Sequence, residues 1–171
     1  MDLYRIYLMY HNTTLKELMD SPLPSLTFQR KMSYRTNVRE VKALYRLINA
    51  TIFNDRLVMP KIHVKSRLVE MWGQCYGVDI PFSNTKSRCV ILLADRWYCR
   101  QWLIMTVAHE MVHQYQWDIN SKRRVREGYP SLMSHGPSFY EWRDKLKKHG
   151  VPLKVCNDYK KWFKTQQVFK C

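Results

Sequence analysis

Several features that mark exported or membrane proteins are missing from this sequence. It contains no apolar run of about 18 residues, which argues against a transmembrane helix. Asp2, Arg5 and His11 fall where a signal peptide needs an uninterrupted apolar core. The five cysteines include no C-x-x-C pair, so the pattern predicts neither a disulfide framework nor a paired-cysteine zinc site. These absences predict a soluble, cytoplasmic protein.

Internal repeats and stretches rich in glycine and serine are also absent, which argues against a solenoid or a disordered chain. The 171 residues are 46% apolar and 13% aromatic, which is enough for one packed domain with a real core. A second domain of ordinary size does not fit in this length. We therefore expect one folded domain with short extensions.

Acidic residues are few. Fourteen Asp and Glu stand against 29 Lys and Arg, which leaves a formal net charge of +15. The field of such a chain attracts polyanions, with nucleic acid first among them. An anionic membrane surface or a general adaptation for solubility accounts for the same charge balance. We expect nucleic acid, specifically DNA, as a partner and expect no membrane association.

The chain divides into an arm, a domain and a tail. Residues 1–35 form the predicted arm, in which Thr14 and Glu17 have the spacing of a capping box before two prolines interrupt the chain. Residues 36–150 form the predicted domain. Residues 151–171 form a basic, aromatic tail.

The predicted domain has the pattern of an α+β fold. From Asn37, apolar residues at helical spacing predict an amphipathic helix over NVREVKALYRLINATIF. Two further helices are predicted, one over 105–117 and one that begins near Pro137 and ends at Gly150. Between the first helix and the other two, three short segments predict the strands of a small sheet: KIHVKSRL, MWGQCYGVDI and RCVILLA.

Two histidines and a glutamate stand close together in MTVAHEMVHQYQW. On a helix, His109 and His113 project from one face with Cβ atoms about 5–6 Å apart, so both imidazoles reach one metal ion. Glu110 is offset from this pair, so its carboxylate misses the metal and accepts a proton from water. The pattern H-E-x-x-H is typical of zinc peptidases. The same letters also recur by chance, in which case both histidines are ordinary residues at the edge of the core.

A catalytic zinc site takes three protein ligands and leaves a fourth position to water, so a third donor is needed. The extension H-E-x-x-H-x-x-G-x-x-H is absent, because Gln116 and Ile119 replace its glycine and last histidine. We expect the third ligand to be His135, which directly precedes a predicted helix. Gly136 and Pro137 suit a tight entry into the first turn of that helix. The alternative donors are Glu127, in an arginine-rich loop, and Glu141, inside the last helix.

Three stretches taken together resemble the SprT-like metallopeptidase domain, the family that includes Spartan. They are LINATIFNDRLVMPKIHV, then VAHEMVHQYQ and, about twenty residues later, SHGPSFYEW, and the similarity covers residues 37–149. The resemblance implies a zincin-like α+β fold. It also implies His109, His113 and His135 as zinc ligands and Glu110 as the catalytic residue.

One difference from the family concerns the end of the chain. Many members carry a C-terminal zinc ribbon, whereas this chain has only Cys156 and Cys171 there, without paired spacing. Members related to Spartan degrade proteins that are crosslinked to DNA, so the resemblance implies a protein substrate associated with DNA. A compact, basic form without the ribbon also fits a virus-encoded protein, whose compartment is the host cytoplasm.

The tail and one loop carry much of the positive charge. NDYKKWFKTQQVFKC interleaves lysines with aromatic rings, which suits phosphates and exposed bases. The basic loop 122–126 lies between predicted zinc ligands and therefore beside the predicted cleft. An ordinary solvated helix and loop account for these residues equally well.

The sequence therefore predicts a zinc endopeptidase that acts on DNA-associated proteins. The main alternative is a nucleic-acid-binding or virion-associated protein in which zinc only stabilises the fold. Such a closed site needs a fourth ligand, for which Cys75, Cys89 and Cys99 are available. A further alternative is a metal-dependent hydrolase with a substrate other than a peptide.

Overall fold

The computed structural model of the protein describes most of the predicted domain. The basic loop 122–126, Glu127 and the tail after residue 154 lie outside the described residues, as does His11. No helix within the described part of the chain is long and apolar enough to cross a bilayer. The described residues are 13–20, 32, 34–66, 71–78, 80–81, 84–121 and 135–154.

Helix α1 (Leu15–Asp20) begins at the predicted capping box. The Thr14 hydroxyl oxygen accepts a hydrogen bond from the backbone N–H of Glu17 at 3.2 Å, and the Glu17 carboxylate accepts one from the backbone N–H of Thr14 at 2.6 Å. Leu15 and Leu18 are buried in the core of the domain. The helix within the predicted arm thus packs against the domain, and the boundary at residue 35 remains a prediction.

Helix α2 (Val38–Ile48) begins where the sequence predicts it. The Asn37 side-chain oxygen accepts hydrogen bonds from the backbone N–H groups of Arg39 and Glu40, each at 3.0 Å, which satisfies two donors of the first turn. After Ile48 the chain continues as a wider, π-helical turn, Asn49–Phe53, rather than as regular α-helix. The inward face of α2 is formed by Val41, Leu44, Tyr45 and Ile48.

A three-stranded sheet confirms the predicted small sheet. Its order is β2 (Lys61–Lys65), β4 (Cys89–Ala94) and β3 (Gly73–Gly77), with β2 parallel and β3 antiparallel to β4. The central strand is the continuously apolar segment CVILLA, as expected for a strand with two neighbours and two covered faces. Two-residue strands that the sequence did not predict, β1 (Tyr34–Arg35) and β5 (Arg96–Trp97), pair separately.

Helix α3 (Arg100–Tyr115) carries the H-E-x-x-H motif through the middle of the domain. It packs against α2, β3 and β4. From Gln101 to Gln116 every residue is buried except His109 and His113, which are partly exposed. The two histidines therefore lie at the edge of the core, as predicted. The other faces of α3 are more completely covered than those of a surface helix.

Polar side chains, of which Gln114 is buried and Asp118 half-buried, fasten the end of α3 to its neighbours. Gln114 accepts a hydrogen bond from the Tyr45 hydroxyl at 2.9 Å and donates one to the backbone carbonyl of Val58 at 2.7 Å. Asp118 accepts hydrogen bonds from the Ser87 hydroxyl at 2.6 Å and from the Gln114 amide at 2.9 Å. A fully paired buried network rigidifies its surroundings. The end of α3 is therefore held against α2 and the start of β4.

The predicted last helix is divided in two. Helix α4 (Pro137–Tyr140) and helix α5 (Arg143–Lys147) are separated by a turn at 141–142. Gly150 ends this region as predicted, with a φ of +74° that favours glycine. The segment after it turns back against the core, which brings the backbone of residues 151–154 towards α3.

Candidate metal centre

The side chains of His109, His113 and His135 meet at one point. The Nε2 atom of His113 lies 3.1 Å from that of His109 and 3.2 Å from that of His135, and the third separation is 3.3 Å. His109 and His113 come from successive turns of α3, whereas His135 comes from the residue pair that precedes α4. The fold thus joins the local pair to a third nitrogen from a distant part of the sequence.

The chemistry and the spacing of these nitrogens fit zinc. Two nitrogens bound to one tetrahedral zinc ion at about 2.0–2.1 Å lie about 3.3–3.4 Å apart. The observed separations of 3.1–3.3 Å are close to that value. Three imidazoles form a donor set known from catalytic zinc sites, whereas magnesium and calcium prefer oxygen ligands. These residues can therefore hold a metal ion.

The surroundings keep the three imidazoles neutral. Burial lowers the pKa of His109 to about 3, with further lowering by the neighbouring His113 and His135. Burial is also the main cause that lowers the pKa values of His113 and His135. Neutral imidazole is the form that binds a metal ion. The site therefore favours the ligand form of all three side chains.

Hydrogen bonds orient two of the rings. The Nδ1 atom of His113 lies 3.0 Å from Oε1 of Gln116 and donates a hydrogen bond to that oxygen. The ring of His109 donates a hydrogen bond to the backbone carbonyl of Lys154. A proton fixed on Nδ1 leaves the lone pair of Nε2 free for a metal ion.

Phe139 forms an apolar wall beside the histidines. The centroid of its ring lies 4.9 Å from that of His109 and 4.8 Å from those of His113 and His135. The side chain is fully buried. A wall of this kind limits the access of water and lowers the local dielectric constant, which strengthens the attraction between a metal ion and its ligands.

The carboxyl group of Glu110 lies between α3 and the edge strand β3. It is 5% exposed and accepts a hydrogen bond from the backbone N–H of Cys75. Burial raises the pKa of Glu110 to about 8, although the hydrogen bond from Cys75 opposes this shift. A nearby cation favours the carboxylate and lowers the pKa again. Burial therefore favours the protonated form of Glu110, and a bound cation would shift the balance towards the carboxylate.

The small residue Gly73 allows β3 to approach Glu110. A Cβ atom at position 73 would lie 2.8 Å from Cγ2 of Thr106 and 3.0 Å from Oε1 of Glu110. Ordinary contacts between such atoms are longer, so a larger residue would displace either β3 or the side chains of Thr106 and Glu110. The absence of a side chain at this position therefore helps to place Cys75 N–H at the carboxyl group.

Among the described residues, none of the other donors considered from the sequence joins this group. Glu141 is exposed at the end of α4, and Glu127 lies outside the described residues. Cys75, Cys89 and Cys99 are free thiols, and none belongs to the group that can hold a metal ion. His63 and His149 are also outside that group.

The contributors to the site that were not predicted include the Gln116 side chain, the Lys154 carbonyl and Gly73. The spacing of Gln116, three residues after His113 on one helix, is a local signal that points to a contact between the two. Lys154 acts through its backbone, and Gly73 acts through the lack of a side chain. No side-chain pattern in the sequence reports either of these contributions.

Residues 41–157 match the family model described as the SprT-like family. This range covers more than half of the chain. The chain belongs to the SprT-like family. The matched range of this SprT-like protein contains His109, Glu110, His113 and His135, and it begins within α2. No curated protein matches the chain.

Proposed function

We propose that this SprT-like protein is a zinc-dependent endopeptidase that acts on proteins associated with DNA. The observation that carries the proposal is the group of three histidine nitrogens, together with the buried carboxyl group of Glu110. Glu110 lies on α3, the helix that carries two of the three histidines. The family match supports a metallopeptidase-related domain. The basic composition supports the association of its substrates with DNA.

Each side chain has a defined part in this chemistry. His109, His113 and His135 would hold zinc, which when bound supplies Lewis acidity that lowers the pKa of water to about 7 and polarises a peptide carbonyl. Glu110 accepts a proton from the attacking water on its carboxylate and delivers it to the nitrogen of the leaving amine. The backbone N–H of Cys75 holds that carboxylate in place.

The alternative of a purely structural zinc site requires a fourth protein ligand. Among the described residues, the group that can hold a metal ion contains neither a thiol nor a carboxylate. A hydrogen bond with Cys89, together with burial, raises the pKa of Cys75 and disfavours the thiolate that binds zinc. These observations favour an open site, in which a position is left for water.

Removal of the metal tests the proposed activity. We expect the zinc-loaded protein to cut an unstructured protein substrate at internal peptide bonds, as detected by mass spectrometry of the new termini. Chelation should abolish the cleavage, and added zinc should restore it, whereas added magnesium should not. Cleavage that survives complete removal of zinc, or a fully zinc-loaded protein that cuts nothing, would contradict the proposal.

The close approach at Gly73 gives a second test. In Gly73→Ala, the new methyl group should move β3 away from Glu110, and a misplacement of about 1 Å can cost about 10²-fold in rate. Zinc content should not change, because the three nearest contacts of a Cβ atom at position 73 are Thr106, Glu110 and Leu93, none of which is a proposed metal ligand. The control is Gln74→Ala, an exposed position on the same strand. Equal kcat/KM values for both variants would show that Gly73 does not position the carboxyl group.

DNA association is the part of the proposal that concerns substrate choice. The residues proposed to contact DNA are the basic loop 122–126 and the tail after residue 154, which lie outside the described residues. Lysines there neutralise phosphates, and aromatic rings stack on exposed bases. By this route, DNA holds a bound protein near the histidine group.

Salt dependence measures this association. Each neutralised phosphate contributes about 0.9 to the log–log slope of affinity against salt on duplex DNA and about 0.7 on single strands. Replacing Lys160, Lys161 and Lys164 with glutamine should flatten the slope and slow the proteolysis of DNA-bound protein, but not of free protein. Trp162→Ala should weaken single-strand binding by about 1–3 kcal/mol.

The control for the tail variant removes the same charge elsewhere, by changing Lys16, Lys61 and Lys65, which are exposed. If both triple variants flatten the slope equally, binding follows total charge and not the tail. If neither variant changes the slope, or if the free and the DNA-bound substrates lose equally, the proposed role of DNA is wrong.

A further inference from the structure

We propose that Gln116, together with Ser138, is a positioning residue that sets the affinity of the histidine group for zinc. The inference rests on the zinc site of the proposed function and assigns a role to two side chains that do not themselves bind the metal. Gln116 acts through His113, whose ring it holds, and through the segment that carries His135.

The contacts of Gln116 are specific at both ends of its amide. Its Oε1 lies 3.0 Å from Nδ1 of His113, and its Nε2 donates a hydrogen bond to the Ser138 hydroxyl at 2.9 Å. The side chain is 4% exposed, so these bonds are made away from bulk water. In this arrangement the Ser138 hydroxyl accepts from the amide nitrogen, and the amide oxygen, which can only accept, faces His113.

This orientation fixes the tautomer of His113. An amide oxygen at Nδ1 requires a proton on that nitrogen, which leaves Nε2 as the acceptor that faces the other two histidines. Without this partner the ring can rotate or place its proton on Nε2, and both changes weaken metal binding. His109 receives the same support from the backbone of Lys154. For His113, the support comes from the Gln116 side chain, so a substitution at position 116 can remove it.

The bond to Ser138 adds a second effect. Gln116 follows α3 directly, and Ser138 lies in α4, three residues after His135. The amide therefore links the helix that carries two ligands to the segment that carries the third. Since ligands held in place before binding lose less conformational freedom when the metal binds, this link should tighten zinc binding.

Zinc affinity, measured by competition with a chromogenic chelator, tests the role. Gln116→Met keeps the size of the side chain and removes both hydrogen bonds, and it should weaken zinc binding by about 10–100-fold. Gln116→Glu keeps an acceptor for His113, and the Ser138 hydroxyl can donate to its second oxygen, so affinity should return to within about threefold of the parent value. Ser138→Ala removes only the link to α4 and should have an intermediate effect.

A loss of folding stability alone must not be mistaken for this effect. The matched control is Gln101→Met, which changes a buried glutamine within α3, at 3% exposure and about two turns before His109. It should lower the melting temperature of the metal-free protein without changing zinc affinity. If Gln116→Met behaves in the same way, with a lower melting temperature and unchanged zinc affinity, Gln116 has only a packing role and the inference is wrong.

A spectroscopic measurement addresses the tautomer directly. In long-range ¹H–¹⁵N spectra of the zinc-loaded parent protein, we expect His113 with a protonated Nδ1 and a metal-bound Nε2. Binding of zinc through Nδ1 of His113 would overturn the inference while leaving the proposed peptidase intact. A parent protein that binds no zinc at the three histidines would instead overturn the proposed function itself.

Discussion

Changing Glu110 to glutamine should remove peptide cleavage while leaving the zinc site and the fold in place. The amide cannot accept a proton from water, and the loss of a general base typically costs about 10²–10⁴-fold in rate. The amide oxygen can still accept the hydrogen bond from Cys75 N–H, and the side chain keeps its size in its buried position. The measurements are kcat/KM on an unstructured protein and zinc content by mass spectrometry.

A matched carboxylate serves as the control for this variant. Glu141→Gln makes the same chemical change at an exposed residue outside the histidine group. It should leave kcat/KM within about twofold of the parent value, since surface changes of this kind have small effects. A Glu110→Gln protein that cleaves as fast as the parent would remove Glu110 from the mechanism.

The change His135→Ala should instead act on the metal. It removes the nitrogen that lies 3.2 Å from Nε2 of His113 and 3.3 Å from Nε2 of His109, so only the α3 pair remains to bind zinc. Mutation of a residue that only supports a ligand typically lowers metal affinity by about 10–100-fold. Removal of a ligand itself should lower zinc affinity by more than that. Zinc content after dialysis should fall well below one ion per chain, and cleavage should fall with it.

The comparison variant for His135→Ala is His149→Ala. His149 is also a histidine near the C-terminal end of the described chain, but it does not belong to the group. It should retain zinc and activity. If His135→Ala keeps the zinc stoichiometry and affinity of the parent, the third ligand is another residue, with Glu127 as the first candidate because it lies outside the described residues.

The local part of the site could be predicted from the sequence because it depends on one helix. The four-residue spacing of His109 and His113 determines that they share a face wherever the helix lies. The choice of His135 needed more than spacing, since Glu127 and Glu141 also had suitable chemistry. The structure brings His135 to the pair and leaves Glu141 exposed, which depends on how α4 packs against α3.

The parts that were not predicted depend on tertiary contacts. The sequence predicted three strands, but neither the central place of β4 nor its parallel pairing with β2 was predicted. The hydrogen bond from His109 to the Lys154 carbonyl joins residues 45 positions apart through backbone atoms, which carry no sequence signal. The close approach at Gly73 is likewise visible only once β3 lies against α3.

The coordination of zinc in the loaded protein tests the central claim, an open three-histidine site, most directly. X-ray absorption at the zinc edge should show about four nitrogen or oxygen neighbours at about 2.0–2.1 Å, with the pattern of three imidazoles and one water. A sulfur neighbour at about 2.3 Å, or a fourth protein ligand of any kind, would indicate a closed structural site and contradict the proposed peptidase.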